Sequence, residues 1–306
     1  MTALVTGATG FIGAGLIPAL QRAGHDVRAF ARSPERVGAD VEVVGGDAVT
    51  GAGLDEALAG IDVAYYLIHS MEPDDGSSLD ERERAAAERF VEAAARRSVP
   101  RVVYLGGPAP TSLTGELSAH LGTRLAVERT LLDGFPEAIA LRASIILGAR
   151  SRSFRLLVRL VERLRAMPLP SWRDHRLAPI DERDVLAMLV ACATTEHARD
   201  RLSLDAAGPE LLSYGDLIAR IADAMLVGRP QIAVDVLADR TVSRIAAAIS
   251  GEDHALVGAL MESLGADLLP RDDRAAALLG IRRHGVDKAV ERALREWERF
   301  EPLAAR

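Results

Sequence analysis

Long apolar runs are missing from this sequence. No stretch approaches the roughly 20 consecutive apolar residues that a bilayer-crossing helix needs, and the apolar segments near Ile245 and Leu256 are interrupted by charges, so no membrane span is expected. Cysteine is nearly absent. Cys192 is the sole one, it cannot pair within the chain, and its surroundings LAMLVACATT have the pattern of a buried helix, so it reads as a core thiol with no oxidising compartment implied. Positive charge is in deficit: 37 basic against 44 acidic residues leave a net charge of -7, which provides no broad positive field, and nucleic acid is not expected as a partner. The seven histidines are scattered and lack a second ligand at helical spacing, so no metal site is expected. No Gly-x-Ser-x-Gly elbow supports acyl transfer. The opening MTALVTGATG reads as a strand and a glycine motif rather than a charged and then apolar leader, and the expected location is the cytoplasm.

What is present has the periodicity of an α/β protein. The 306 residues are 49% hydrophobic and 26% charged, enough for a nucleotide-binding domain with a smaller satellite. Strands are predicted at Ala3 to Thr6, Val27 to Ala31, Val41 to Val44, Val63 to Ile68, Val102 to Leu105 and Ala138 to Leu147, several of them apolar throughout, as strands covered on both faces should be. Between them, Ile12, Leu16 and Leu20 share one helical stripe and Ala86, Phe90 and Ala93 another. Pro18 lies past the first turn of its helix, and a local kink is expected there. Later helices are predicted from Phe154 to Arg165, from Asp184 to Ala193, from the approximate capping box SYGD at Ser213 through Leu226, and on the stripe of Val286, Val290, Leu294 and Trp297. The expected fold is a Rossmann doubly wound parallel sheet over residues 1 to 150, followed by a smaller C-terminal substrate-side subdomain and helices over 151 to 306, with segments returning to the core.

The strongest motif is VTGATGFIG. Gly7 permits a tight turn, Gly10 a close approach of the backbone to a pyrophosphate, and Gly13 close packing of helix on strand, while the helix start at Phe11 supplies amide donors and a partial positive charge. Thr9, Phe11 and Ile12 belong to the same cofactor-binding segment. The strand VRAFA ends in Arg32, where an acidic residue would select a free ribose hydroxyl; a guanidinium suits a 2′-phosphate instead, so NADP(H) is the expected cofactor. Asp47 and Ala48 follow the third strand, with Asp47 placed either to meet the adenine edge or to serve as a turn residue.

TGATGFIG, GGDA at Gly45, AYYLIHSM at Ala64, VVYLGG at Val102, SAHLGTRLAVE at Ser118, LRASIILG at Leu141, API at Ala178 with Asp184 and Val185, and AGPELLSYGDL at Ala207 together resemble the atypical short-chain dehydrogenase/reductase superfamily, in particular NAD(P)H-binding proteins related to NmrA and to the 39-kDa subunit of respiratory complex I. The resemblance covers most of residues 1 to 226. It implies a nicotinamide lying over the carboxyl ends of the fourth and fifth strands; His69 follows the strand YYLI and so should sit at that edge, with Leu67, Ile68 and Gly106, as a cofactor-lining residue or alternatively in proton transfer, and Ser70 and Met71 come with it toward the substrate. It also exposes a departure. Active members carry a Tyr-x-x-x-Lys pair and an upstream serine, whereas the corresponding positions here read His120 to Arg124, and Gly106 with Gly107.

His120 is thus a candidate general acid or base and Arg124, one turn on, its neighbour; the alternative is a histidine left on a helix surface. Ser144 is a candidate substrate contact or a strand serine bonded to a carbonyl, and Phe154, Trp172 and His175 are candidates for the pocket or for the core. The expected function is NADP(H)-dependent oxidoreduction of a small carbonyl, quinone or enone by a monomer or homodimer. The alternative is a non-catalytic NADP(H)-binding sensor or structural subunit.

Overall fold

A computed structural model describes residues 1–68, 79–108, 119–234 and 266–303, giving the backbone alone for 79 and 119–121. Its elements are β1 (Thr2–Thr6), α1 (Phe11–Arg22), β2 (Asp26–Ala31), β3 (Glu42–Gly45), α2 (Leu54–Ala57), β4 (Val63–Tyr66), α3 (Leu79–Arg96), β5 (Arg101–Gly106), α4 (Ala119–Gly134), β6 (Glu137–Ala143), α5 (Arg152–Arg163), α6 (Glu182–Cys192), β7 (Leu202–Ala206), α7 (Tyr214–Ala224), α8 (Arg274–Leu278) and α9 (Val286–Trp297). Among the described residues, seven strands form one parallel sheet in the order β7-β6-β5-β4-β1-β2-β3. The order reverses between β1 and β4, and the crevice of a doubly wound sheet opens at such a reversal.

Helices cover both faces because strand residues alternate between them. On one face Val5, Tyr65, Val103 and Leu141 meet Leu16 and Leu20 of α1 and Met188 and Cys192 of α6; on the other, Leu4, Tyr66, Tyr104 and Ala140 meet Phe90 of α3 and Leu131 of α4. Leu16 and Leu20 are fully buried, each contributing about 2 kcal/mol relative to exposure. Cys192 is wholly buried, and burial pushes its thiol up to about 12. A second apolar cluster gathers residues from Ile145 onward, including Phe154, Leu217, Val290 and Trp297.

Several details differ from the sequence reading. The sixth strand stops at Ala143 instead of continuing to Leu147; Ile146–Leu147 leaves the sheet and pairs with Ile180–Asp181. A strand not expected from the sequence, β7, then closes that edge against β6. Helix α1 continues past Pro18 to Arg22. The capping box is formed, with the Ser213 hydroxyl accepting from the Asp216 amide at 3.0 Å and the Asp216 carboxylate accepting from the Ser213 amide at 3.1 Å. Its helix ends at Ala224 rather than Leu226.

Candidate functional site

The first half of the site is made of backbone. β1 delivers the chain to Gly7, whose φ of +60° is a left-handed conformation that glycine adopts without strain, and a Cβ there would lie 2.6 Å from the Leu67 carbonyl oxygen. A Cβ on Gly13 would collide with the Gly7 carbonyl, so α1 packs directly on the turn that introduces it. Gly10 is the N-cap: its amide donates to Gly7 at 2.9 Å and its carbonyl accepts from Ala14 at 3.0 Å. The amides of Phe11, Ile12 and Gly13 precede that first intrahelical donor. No side chain caps this end and no acidic residue of α1 occupies the first turn, so the donors and the positive end of the helix dipole face the crevice. Thr9 and Gly10 are exposed at its lip.

Thr6 bridges the ends of β1 and β4 beside this crevice, a role the sequence reading did not assign. The β1–β4 ladder ends at Val5 and Tyr65. Beyond it the buried Thr6 hydroxyl donates to the Tyr65 carbonyl at 2.9 Å and accepts from the Leu67 amide at 3.0 Å. A side chain thereby takes over from the ladder and ties the ends of the two strands together, with Gly7 passing close to Leu67. The only sequence signal for this was its place just before Gly7.

Arg32 follows the last residue of β2 and is exposed; it makes no hydrogen bond or ion pair among the described residues. Arg28 on the same strand is by contrast held by Glu42 at 2.8 Å and by the Ala59 carbonyl at 2.7 Å. Asp47 takes its turn role, with Oδ1 accepting from the Val49 amide at 2.7 Å and its backbone bridging to Ala52, while Ala48 is buried beneath it.

The second half of the site lies at the carboxyl ends of β4 to β7. Leu67 and Ile68 are half-buried there, and Gly106, buried at the end of β5, has the Tyr104 ring 2.6 Å from where a Cβ would stand. His69, Ser70 and Met71 lie outside the described residues, as does the side chain of His120, whose backbone is the second residue of α4. Arg124 is half-buried on the same helix, and its carbonyl accepts from the Tyr104 hydroxyl at 3.4 Å. Burial raises the pKa values of Tyr66 and Tyr104, so neither phenol is poised to give or take a proton at neutral pH. The sole lysine, Lys288, stands on α9.

Ser144 lies in the break after β6, where its hydroxyl donates to the Ala178 carbonyl at 3.1 Å, the carbonyl-bonded alternative of the sequence reading. A small pocket opens beside it between the ends of β5, β6 and β7, lined by Pro108, Arg142, Ser144, Ala178 and Asp205. Its charges are already paired: Arg142 grips Glu128 through Nε at 2.7 Å and Nη2 at 2.6 Å, and Asp205 accepts from Arg271 Nε at 3.0 Å. These two pairs were missed because their members are remote in sequence. Phe154 is wholly buried in the second cluster and packs as core. Trp172 is half-buried against Tyr214, ring to ring at 6.0 Å, and His175 is half-buried beside it. Among the described residues no helix is long and apolar enough to cross a membrane, and no group of three metal-ligating side chains occurs.

A parallel sheet reversing at β1 and β4, with uncapped helix amides at the reversal, defines a dinucleotide-binding protein of the short-chain dehydrogenase/reductase kind. A family described as NAD(P)H-binding matches residues 7–122. The chain is 30% identical over 231 residues to a (4-alkanoyl-5-oxo-2,5-dihydrofuran-3-yl)methyl phosphate reductase of Streptomyces griseus, covering 74% of each. It is 32% identical over 111 residues to a 3-beta-hydroxysteroid dehydrogenase of Mycolicibacterium neoaurum, covering 33% of this chain but only 30% of that one. The UDP-glucuronic acid 4-epimerase of Bacillus cereus, solved in complex with NAD, shares the fold at a TM-score of 0.72 and 16% identity, over 98% of this chain and 97% of the other. The chain belongs to the atypical short-chain dehydrogenase/reductases, an NAD(P)H-binding oxidoreductase family.

Proposed function

We propose that the protein is an NADP(H)-dependent oxidoreductase acting on a small carbonyl, quinone or enone. The observation that carries the cofactor choice is Arg32, an exposed guanidinium at the end of β2 with no partner among the described residues, where a 2′-phosphate would supply one. The diphosphate is assigned to the amides of Phe11, Ile12 and Gly13, and the nicotinamide to the edge beside Leu67, Ile68, His69 and Gly106. His120 is the proposed proton donor, with Arg124 one turn away, and Ser70, Met71 and Ser144 are the proposed substrate contacts. The second apolar cluster is assigned to the substrate-side subdomain that begins near residue 151. The relative named as reductase of a 5-oxo-2,5-dihydrofuran supports a conjugated carbonyl substrate.

A non-catalytic NADP(H) sensor or structural subunit is favoured by one observation: the Tyr-x-x-x-Lys pair is absent, and the two strand-end tyrosines on this side of the sheet are buried in the core. The test is oxidation of NADPH, followed by nicotinamide absorbance, with a panel of quinones, aldehydes and enones. Turnover lost in His120→Ala supports the enzyme with that donor, and tight NADPH binding with no turnover across the panel supports the sensor. Equal affinity for NADH and NADPH would overturn the assignment of Arg32.

A further inference from the structure

Behind the proposed dinucleotide site lies a charged cluster of Glu182, Arg292, Asp181 and Glu296. Gly148 is wedged between two groups: a Cβ there would lie 2.6 Å from Phe11 Cζ and 2.5 Å from Glu182 Oε2. Glu182 is the first residue of α6, its side chain is only 14% exposed, and its other oxygen lies 3.5 Å from where a Cβ on Gly15 of α1 would stand. A carboxylate therefore packs against the opening of the helix whose amides are assigned to an anion. Unopposed, it would repel that anion.

Arg292 of α9 opposes it. Its Nη2 donates to Glu182 Oε2 at 3.2 Å and to the Leu147 carbonyl at 3.3 Å, so one guanidinium holds both the peptide before Gly148 and the carboxylate against it. The same cation faces Asp181 at 3.4 Å and donates to Glu296 at 2.8 Å. Asp181 has a second partner in Arg183 at 2.6 Å; α1 presents no charge here, only Phe11 and Gly15. Among the described residues Arg292 is the cation that hydrogen-bonds Glu182, and it is shared with two other carboxylates; Arg183, engaged with Asp181, acts on Glu182 at longer range. Burial raises its pKa, against the pull of Arg292.

We infer that Arg292 is a positioning residue for the dinucleotide, fixing the Leu147–Gly148 segment against Phe11 and cancelling the charge of Glu182 beside the diphosphate. This rests on the diphosphate lying at the opening of α1. Removing the cation should then leave a bare carboxylate next to an anion, and removing the carboxylate should leave a cation there.

The test is NADPH affinity by fluorescence titration of the full chain, well below the melting temperature of each variant. Arg292→Gln should weaken binding about tenfold, the scale of one partly screened like-charge contact, and the loss should shrink as pH falls and Glu182 takes up a proton. The double variant Arg292→Gln with Glu182→Gln should recover most of that affinity, which lost packing alone would not do. Glu182→Gln by itself should bind NADPH more tightly than wild type, and this arm stands even if Arg292→Gln does not fold. Unchanged affinity in Arg292→Gln, no recovery in the double variant, or weaker binding in Glu182→Gln overturns the inference while leaving the cofactor assignment intact. Wild-type protein that binds no NADPH overturns both.

Discussion

At the carboxyl ends of β1 and β2 the polar groups facing the crevice are backbone amides and Arg32, which has no partner among the described residues, whereas at the ends of β5, β6 and β7 the charged side chains Arg142 and Asp205 are already paired. Phe11, Ile12 and Gly13 present amides that no cap occupies. Arg142 and Asp205, in contrast, line their pocket with Glu128 and Arg271 already in hand. The first region is prepared for an anion without rearrangement. The second has its charges paired, with Arg142 keeping only Nη1 without a hydrogen-bond partner, so it contributes shape more than free charge. Damage to the first should therefore appear in cofactor affinity, and damage to the second in stability.

The largest effect should come from the second region. Glu128 and Arg142 have side chains only 4% and 10% exposed, and Glu128 also accepts from the Ser203 hydroxyl of β7. Glu128→Leu leaves a guanidinium buried without its carboxylate, a change that costs about 4 kcal/mol. Denaturant unfolding should show that loss, with NADPH affinity of the folded fraction kept within a small factor. Gly13→Ala should reverse the pattern. Its methyl collides with the Gly7 carbonyl, the turn and α1 must separate, and NADPH affinity should fall about a hundredfold, or about 3 kcal/mol, in calorimetric titration. If the two variants affected stability and affinity alike, the contrast between the regions would be lost.

The same contrast explains what could be read from the sequence. The β1–α1–β2 unit was legible because its determinants are local: glycines at 7, 10 and 13, an apolar stripe at 12, 16 and 20, and Arg32 at a strand end. β7 was less legible. Its period-2 pattern, Leu202, Leu204 and Ala206 alternating with Ser203 and Asp205, does carry a strand signal, but it is five residues long and lies beyond the expected domain boundary, and its place beside β6 is a long-range pairing that no local pattern gives. The break after Ala143 was hidden for a related reason. Apolar residues run on through Ile145, Ile146 and Leu147, and nothing in their character tells that the Ile145 carbonyl accepts from the Ile180 amide, 35 positions on, instead of from the sheet. His120 was legible as a departure from a family pattern, and its side chain lies outside the described residues.

Thr6 ties the end of β1 to the end of β4, between the two regions, and its replacement should have an intermediate effect. Thr6→Val keeps the shape but leaves the Leu67 amide and the Tyr65 carbonyl without their bridge, at about 2 kcal/mol of stability, which Thr6→Ser should largely restore in thermal melts.

The smallest effect belongs to the opposite edge of the sheet, where Glu137 begins β6. Hydrogen bonds from Arg101, with Nε at 2.7 Å, hold its carboxyl below the ordinary value of 4.5 despite the opposing effect of burial, and Arg199 adds to this. A carboxylate whose folded pKa is depressed stabilises the protein fully above its unfolded pKa, and that contribution disappears as pH falls through the folded value. Wild-type stability should therefore drop below about pH 4.5 more steeply than that of Glu137→Gln, while at neutral pH the variant is the less stable of the two. Because Glu137 stands at the amino end of its strand, away from the carboxyl edge that carries the site, NADPH affinity at neutral pH should be the same in both proteins. A variant that followed the wild-type acid profile would show that the Arg101 pair contributes nothing to this edge of the sheet.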